Sequence, residues 1–147
     1  MSEPSKRTAQ SCPDAVIVTG AGRGIGRAIA LDLGNAGVRV VCLSRTDNAA
    51  RTAATIREQG GRADSLVLDL EDYEVVERTV ARQVEALSQD RWGIVLAAGV
   101  LGPAGPLADC SLAEWDSCHR VNVMGNLAVL RATLPAMRDF RFGRVVF

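Results

Sequence analysis

The stretch that most constrains the fold is Ala15 to Gly26, which reads AVIVTGAGRGIG. Its first residues are apolar or β-branched and predict a short buried strand. Glycines then form a turn, and the residues around Gly26 begin the pattern of an amphipathic helix. A strand, a glycine turn and a helix in this order direct backbone N–H groups and a helix N-terminus at a phosphate. The stretch therefore predicts nucleotide binding, against the alternative of an ordinary glycine-rich turn.

The spacing of the glycines narrows the kind of site. In the fingerprint G-x-G-x-x-G the third glycine would fall at Ile25, so that fingerprint does not fit. The pattern that fits is Gly20-x-x-x-Gly24-x-Gly26, preceded by Thr19. A P-loop is excluded because no Gly-Lys-Ser/Thr follows. With this T-G-x-x-x-G-x-G pattern the chain resembles the short-chain dehydrogenase/reductase family, and it is similar to members of the 3-oxoacyl-acyl-carrier-protein reductase type.

Composition limits the classes of function. At 147 residues the chain can hold one ordinary domain, and its 48% apolar content suffices for a core. A net charge of zero gives no reason to expect binding to nucleic acid or to an acidic membrane surface. Residues 1–14 are polar and no apolar run approaches membrane-spanning length, so we expect neither a signal peptide nor a membrane segment. The four cysteines show no CxxC pairing, which favours a reducing compartment, by default the cytoplasm.

The first part of the chain predicts a leader followed by a strand-helix-strand unit. Residues 1–14 read as a mobile leader. The helix after the glycine turn places Ile25, Ile29 and Leu33 on one face, which we expect to be buried. Residues 34–37, with a glycine at each end, should terminate this helix.

The order of the remaining elements predicts the fold class. Further buried strands are expected over residues 38–43, 65–68 and 94–99, and a fifth begins at Arg144. Helical patterns separate them, so consecutive strands should be parallel with right-handed crossovers. The sequence predicts an α/β fold, a Rossmann-like doubly wound parallel sheet truncated at about its fifth strand.

The residues after the second strand select between NAD and NADP. A carboxylate at this place hydrogen-bonds the ribose 2′-hydroxyl of NAD, whereas an arginine accommodates the 2′-phosphate of NADP. Here Ser44 and Arg45 follow the strand, and Arg23 in the glycine turn could reach the same phosphate. Asp47, about twenty residues after Gly26, is the rival that favours NAD. The resemblance associates the arginine with NADP, which we predict, with NAD as the alternative. A solvated arginine and a helix-capping aspartate would explain the same residues without a cofactor.

Two further segments match the family in position. The resemblance implies that Asp69 and the backbone of Leu70 contact the adenine amino group, although Asp69 could instead open the following helix. Residues 94–99 stand where the family has N-N-A-G, but Leu96 and Ala97 replace both asparagines. We therefore expect weakened cofactor support at this strand. The complete set of expected cofactor residues is Gly20, Ala21, Gly22, Arg23, Gly24, Ile25, Gly26, Ser44, Arg45, Asp69, Leu70, Ala97, Ala98 and Gly99.

A long helix is predicted over residues 112–138, and it carries two apolar stripes. One stripe can cover the sheet, while the other needs a partner helix and comprises Val123, Leu127, Leu130, Leu134 and Met137. We expect a homo-oligomer paired through this helix, against the alternative that one subunit buries both stripes. The polar residue in the buried stripe, Asn122, resembles the family's catalytic asparagine, which holds a water in the proton relay. Its alternative role is a buried structural amide.

Catalysis in the family also needs a serine and a Tyr-x-x-x-Lys pair that follow the fifth strand. The only tyrosine here is Tyr73 and the only lysine is Lys6. With a single histidine, His119, no metal site is expected. We therefore expect residues 15–147 to be an incomplete NAD(P)-binding domain, the N-terminal portion of an NADP-dependent oxidoreductase that transfers hydride between nicotinamide and a carbonyl or alcohol substrate. By itself it should be inactive. The alternative is a catalytically silent nucleotide-binding or interaction module.

Overall fold

A computed structural model describes residues 12–147, in which strands and helices alternate along the chain. The strands are β1 (Ala15–Thr19), β2 (Arg39–Ser44), β3 (Ala63–Val67), β4 (Trp92–Leu96) and β5 (Arg144–Val146). The α-helices are α1 (Gly24–Asn35), α2 (Asn48–Glu58), α3 (Tyr73–Ala86), α4 (Leu112–His119) and α5 (Asn126–Asp139). A π-helical segment, Arg120–Gly125, joins α4 to α5, and a 3₁₀ turn, Leu107–Asp109, precedes α4.

The five strands form one parallel sheet in the order β3-β2-β1-β4-β5. In the middle of the sheet Ile17 of β1 is in register with Val41 of β2 and Ile94 of β4. The chain runs outward from β1 to β3 and then returns to β4 on the other side of β1. The strand order therefore reverses between β1 and β4, and their carboxyl ends open a crevice where such folds bind ligands. The predicted Rossmann-like α/β fold is confirmed.

Helices cover both faces of the sheet, which explains the nearly continuous apolar character of its central strands. On one face Ile17, Leu43 and Ile94 pack with residues of α3 and α5. On the other face Val18 and Val40 belong to the cluster that includes residues of α1 and α2. Successive side chains of one strand point to opposite faces, so both sets of positions are buried.

The buried face of α1 differs from the predicted one. Ile25 is 77% exposed, and the residues that are buried are Gly26, Ala30 and Gly34. The expectation of a buried Ile25 stripe was wrong because the helix packs through small residues, which bring its backbone close to the turn and to α2. A Cβ atom at Gly34 would lie 2.6 Å from the Ile56 side chain. The larger Ile29 and Leu33 lie partly buried at the margin of this contact.

The region predicted as one helix over 112–138 is interrupted by the π-helical segment. In a regular α-helix the backbone N–H of Asn126 would donate to the carbonyl of Asn122. Here the Asn126 side chain also donates to that carbonyl, at 3.0 Å. Side-chain bonds to the carbonyl one turn earlier are common in helices, and this one lies directly after the wider π-helical turn.

Residues 1–14 are the predicted leader, and residues 1–11 of this segment lie outside the described residues. Contacts to the sheet include those of Asp14, whose backbone N–H donates to the Arg91 carbonyl at 2.8 Å. The Arg91 guanidinium donates to both carboxylate oxygens of Asp14, at 2.8 and 3.0 Å. Among residues 12–147 no helix combines the length and the apolar character that a bilayer crossing requires.

Candidate functional site

A cavity of about 740 Å³ lies at the carboxyl ends of β1 to β4. It is lined by the glycine turn, by the residues that follow β2, β3 and β4, and by Val121 of the π-helical segment. Every predicted cofactor residue lines it except Ala21. The other lining residues were not predicted as cofactor contacts, and they are Leu43, Thr46, Asn48, Leu68, Val100 and Val121.

Two glycines of the turn are required by the geometry of the cavity floor. Gly20 has φ +68°, and a Cβ atom there would lie 2.9 Å from the Ala97 carbonyl oxygen. A Cβ atom at Gly26 would lie 2.5 Å from the Gly20 carbonyl oxygen. No side chain caps the N-terminus of α1, which opens on the cavity through Gly24 and Ile25. An uncapped helix N-terminus next to a closely packed turn suits an anionic group such as a phosphate.

Ala21 links the glycine turn to β2 and α2 through hydrogen bonds of its backbone. It is fully buried, and its backbone N–H donates to the Leu43 carbonyl at 3.1 Å. Its own carbonyl accepts the hydroxyl of the buried Thr52 at 2.8 Å. Ala21 is therefore placed as a structural part of the turn and not at the cavity surface. Thr52 on α2 is a supporting residue that the sequence analysis missed, because its partner lies 31 positions away.

The end of β2 presents a basic side chain to the cavity. Arg45 is exposed and lines the cavity together with Arg23, whereas Asp47 does not line it. The Asp47 carboxylate lies 3.6 Å from the Arg51 guanidinium in an exposed i,i+4 pair. Within residues 12–147 neither Arg23 nor Arg45 has an ion-pair partner. This corner of the cavity is therefore positively charged and suits a phosphate better than an uncharged hydroxyl.

Ser44 forms local hydrogen bonds at the same strand end. Its hydroxyl donates to the Thr46 carbonyl at 2.7 Å and accepts the Ala49 N–H at 3.1 Å. The side chain thus ties the start of α2 to the loop that carries Arg45. Ser44 lines the cavity as predicted, but its hydroxyl proton is already engaged within the chain.

Asp69 and Leu70 follow β3 and form another part of the cavity wall. One carboxylate oxygen of Asp69 accepts the Glu71 N–H at 3.0 Å, and the Asp69 carbonyl accepts the Asp72 N–H at 3.1 Å. The aspartate therefore shapes the turn that leads to α3 and also faces the cavity. These hydrogen bonds agree with the alternative role of Asp69 before the helix, and the adenine contact stays a prediction.

Asn122 lies behind the cavity wall, where it holds the loop that follows β4. Its Oδ1 accepts the Val100 N–H at 2.8 Å, and its Nδ2 donates to the Val100 carbonyl at 2.9 Å. Nδ2 also lies 3.2 Å from the Cys118 sulfur. Asn122 is half-buried, and its amide has the hydrogen-bond partners that the structural alternative requires, while its catalytic role stays a prediction. The buried amide on this segment belongs to Asn126, one turn further on.

Asn126 and Thr19 form a buried hydrogen-bonded link that the sequence analysis missed. The Nδ2 of Asn126 donates to the carbonyls of Asn122, at 3.0 Å, and of Ala98, at 3.3 Å. Its Oδ1 accepts the Thr19 hydroxyl at 3.5 Å, and the same hydroxyl oxygen accepts the Ala98 N–H at 3.0 Å. The only signal in the sequence was a second asparagine four residues after Asn122.

The chemistry that the cavity can perform is limited by its lining. Among the described residues that line it there is no Tyr, Lys, His or Cys side chain. The described residues also contain no group of three or more His, Cys, Asp or Glu side chains that could hold a metal ion. Burial raises the pKa of the Cys42 thiol to about 11, so this sheet residue stays protonated near neutral pH. The described lining suits an anionic, partly apolar ligand.

Comparison with known proteins, by sequence and by structure, points to one family. The sequence profile of the family described as short chain dehydrogenase matches residues 14–147. The 3-oxoacyl-acyl-carrier-protein reductase of Aggregatibacter actinomycetemcomitans is 34% identical over 136 residues, which cover 90% of this chain and 55% of that protein. The chain spans about half the length of the curated relatives it matches.

Solved structures match the fold at similar coverage. A metagenomic short-chain oxidoreductase in complex with NADP superposes with a TM-score of 0.83 at 35% identity, over 90% of this chain and 60% of that one. An NAD⁺-bound xylitol dehydrogenase superposes with a TM-score of 0.81 at 30% identity, over 90% of this chain and 51% of that one. Both of these structures contain a nicotinamide dinucleotide, although not the same one.

Proposed function

The chain belongs to the short-chain dehydrogenase family, and on that premise we propose that its cavity binds NADP, with NAD as the alternative. In this proposal residues 15–147 are the cofactor-binding portion of an oxidoreductase that transfers hydride between nicotinamide and a small carbonyl or alcohol substrate. The observation that carries it is that one cavity gathers the glycine turn, the N-terminus of α1 and two arginines. When bound, the cofactor would supply the hydride chemistry.

Different residues would bind different parts of the cofactor. The glycine turn and the N-terminus of α1 would hold the pyrophosphate, while Arg23 and Arg45 would hold the 2′-phosphate. Asp69 and the backbone of Leu70 would contact the adenine. The small residues Ala97, Ala98 and Gly99 would let a ribose approach the backbone closely, and Asn122 would stand at the catalytic end of the cavity.

NADP is preferred over NAD because of charge at one corner of the cavity. Arg45 lines the cavity and Asp47 pairs with Arg51 outside it. A doubly charged phosphate gains more from a guanidinium than a hydroxyl does. Relatives with either cofactor have this fold, so the preference rests on Arg45 and Arg23.

Binding is tested by titrating the 147-residue protein with NADPH and NADH while recording nucleotide fluorescence. We expect saturable binding, tighter for NADPH, in a protein whose circular dichroism shows a folded α/β chain. Absence of saturable binding to the folded protein would contradict the proposal.

Carbonyl reduction by these 147 residues alone is not expected. The general acid of the family is a tyrosine assisted by a lysine, and the only such residues in the chain are Tyr73 and Lys6. Tyr73 lies at the start of α3 with its ring under the Arg120 guanidinium, 5.1 Å away, and it does not line the cavity. NADPH oxidation coupled to loss of a ketone, measured with the purified chain, would overturn this expectation.

The second candidate is a catalytically silent nucleotide-binding or interaction module. The observation in its favour is the pair Leu96 and Ala97, where the family has two asparagines. The coding sequence after Phe147 distinguishes the two candidates. An in-frame serine and a Tyr-x-x-x-Lys segment support the oxidoreductase, and a stop codon directly after Phe147 supports the silent module.

We also propose that the protein pairs with a second copy of itself through α5 and the preceding π-helical segment. Val123, Leu127 and Leu134 are 40%, 44% and 46% exposed on this surface. The expectation was wrong for Met137, which is buried in the core with residues of the sheet, and Leu130 packs against the same core. Beside it lies a groove of about 540 Å³ between α3 and α5, lined by apolar residues that include Val84 and Pro135. Exposed apolar faces of this kind are typical of oligomer contacts. The cytoplasmic location inferred from the cysteine pattern stays a proposal.

A further inference from the structure

We infer that Asn126 is a positioning residue, which holds the carboxyl ends of β1 and β4 and the Asn122 turn in one arrangement before any ligand enters. It reaches three separate segments with a single side chain: Thr19 at the end of β1, Ala98 after β4, and Asn122 in the π-helical segment. Its importance for a cofactor rests on the proposed function, whereas the positioning itself can be tested on the unliganded protein.

The orientation of the Asn126 amide is determined by its partners. Both Nδ2 contacts are carbonyl oxygens, which can only accept, and the Oδ1 contact is a hydroxyl. The Thr19 hydroxyl oxygen accepts the Ala98 N–H, so its single proton is left for Asn126. Reversing the amide would place N–H groups against the Thr19 proton and an oxygen against two carbonyls. The network therefore admits one orientation.

The same side chain joins the two segments that the Asn122 side chain bridges. Asn126 bonds the Asn122 carbonyl and the Ala98 carbonyl, so it holds the π-helical segment against the chain two residues before Val100. The Asn122 side chain in turn binds both backbone groups of Val100. Asn126 is 8% exposed, so water has little access to replace its bonds if the amide is removed. Loss of the amide should therefore weaken the hold of Asn122 on Val100, although the Asn126 side chain is hydrogen-bonded to neither Val100 nor the Asn122 side chain.

The effect of Asn126 on Val100 distinguishes a positioning role from a general stabilisation of the helix. Two variants of similar size remove the donor: Asn126→Leu, and Asn126→Asp, which keeps an acceptor for Thr19. The measurement is amide hydrogen exchange of Val100 by ¹⁵N NMR on the full chain without cofactor. We expect exchange at Val100 to accelerate about fivefold to tenfold in both variants, as for loss of one or two hydrogen bonds.

Two further variants set the upper and lower limits for the acceleration of exchange at Val100. Asn122→Ala removes the Val100 partner directly and sets the maximum acceleration. Thr133→Val removes a buried hydroxyl of the same helix that bonds only the Val129 carbonyl, and it controls for general destabilisation of α5. Acceleration at Val100 in the Asn126 variants that approaches the Asn122→Ala value, with little change in Thr133→Val, supports the inference. Exchange at Val100 that matches Thr133→Val in the Asn126 variants would overturn it.

A measurement on the unmodified protein keeps the inference testable if the variants do not fold. Both Nδ2 hydrogens of Asn126 are bonded, so its side-chain NH₂ should exchange more slowly than that of an exposed residue such as Asn35. Equal exchange at the two residues would refute the positioning role. None of these readouts depends on nucleotide, so a failure of cofactor binding would leave their outcome unaffected.

Discussion

The side-chain amide of Asn122 pairs with Val100 as a neighbouring peptide group would, accepting its N–H at 2.8 Å and donating to its carbonyl at 2.9 Å. The two residues are 22 positions apart. This pair fastens the start of the loop after β4 to the π-helical segment. It also explains how a loop with an exposed backbone keeps its place at the cavity rim.

Substitution Asn122→Ala should loosen the loop over residues 100–110. It leaves both backbone groups of Val100 without their side-chain partner, so the loop should open more often and be cut more readily. We expect cleavage within this loop by thermolysin to accelerate about tenfold under native conditions. The control is Asn35→Ala at an exposed position, which should leave the rate unchanged. Equal cleavage rates for the two variants would contradict the role of the Asn122 and Val100 pair.

Substitution Gly26→Ala should abolish most cofactor binding while the fold survives. The added methyl group would lie 2.5 Å from the Gly20 carbonyl oxygen and 3.0 Å from that of Thr19, so α1 and the turn must separate. Displacement of backbone at a phosphate site should raise the dissociation constant for NADPH at least about tenfold. Ala28→Ser, at an exposed position of α1, is the control and should bind normally. Undiminished binding by Gly26→Ala would remove the turn from the site.

Substitution Arg45→Asp should shift the preference from NADPH towards NADH. The carboxylate repels a 2′-phosphate and can accept a hydrogen bond from a 2′-hydroxyl. We expect the ratio of the two dissociation constants to change about tenfold or more, as measured by fluorescence titration. Asp47→Ala, which alters the carboxylate outside the cavity, should leave the ratio as it is. A shift with Asp47→Ala and none with Arg45→Asp would assign the selection to Asp47.

The Asp14 and Arg91 pair should make stability depend on pH in the acid range. Hydrogen bonds from the Arg91 side chain lower the pKa of the Asp14 carboxyl below its usual value. The contribution of the pair is therefore complete above the unfolded pKa of about 3.9 and is lost as the pH falls through the lower folded-state pKa. Asp14→Asn should lower the urea midpoint at pH 7 and have a smaller effect at pH 3.

The control for this prediction is Asp32→Asn. Asp32 is exposed on α1 and takes part in none of the ion pairs of residues 12–147. It should change the urea midpoint little at either pH. An effect of Asp14→Asn that is the same at pH 7 and pH 3 would show that the charge of Asp14 does not matter.

Substitutions Leu127→Arg and Leu134→Arg together should prevent self-association. Both side chains are nearly half-exposed on the same surface of α5, and a charge there would be desolvated in a helix-paired contact. We expect the unmodified protein to sediment as a dimer or larger species and the double variant as a monomer. Arg27→Glu, on α1 on the other side of the sheet, should leave the species unchanged. A monomeric unmodified protein would refute the pairing.

Local sequence determined the frame of this protein and the composition of its cavity. Buried parallel strands need continuous apolar runs, and glycines at fixed spacing are needed where the turn approaches α1 and β4, so both features can be seen in the linear chain. The same reasoning placed Arg45 and Asp69 at strand ends. Parallel strands present their carboxyl ends at one edge, and these residues therefore meet in the cavity.

Tertiary structure alone decided how the elements are held together. The face of α1 that is buried is the face of smallest residues, because close backbone approach to the turn and to Ile56 outweighs the packing of Ile25. The Asn126 amide bonds the Asn122 carbonyl one turn earlier and the Thr19 hydroxyl across 107 positions. Hydrogen bonds of this kind depend on which strands are neighbours in the sheet. They produce no periodic pattern in the sequence from which they could be predicted. For that reason the residues that line the cavity could be predicted from the chain, whereas the contacts of Asn126 that join its strands could not.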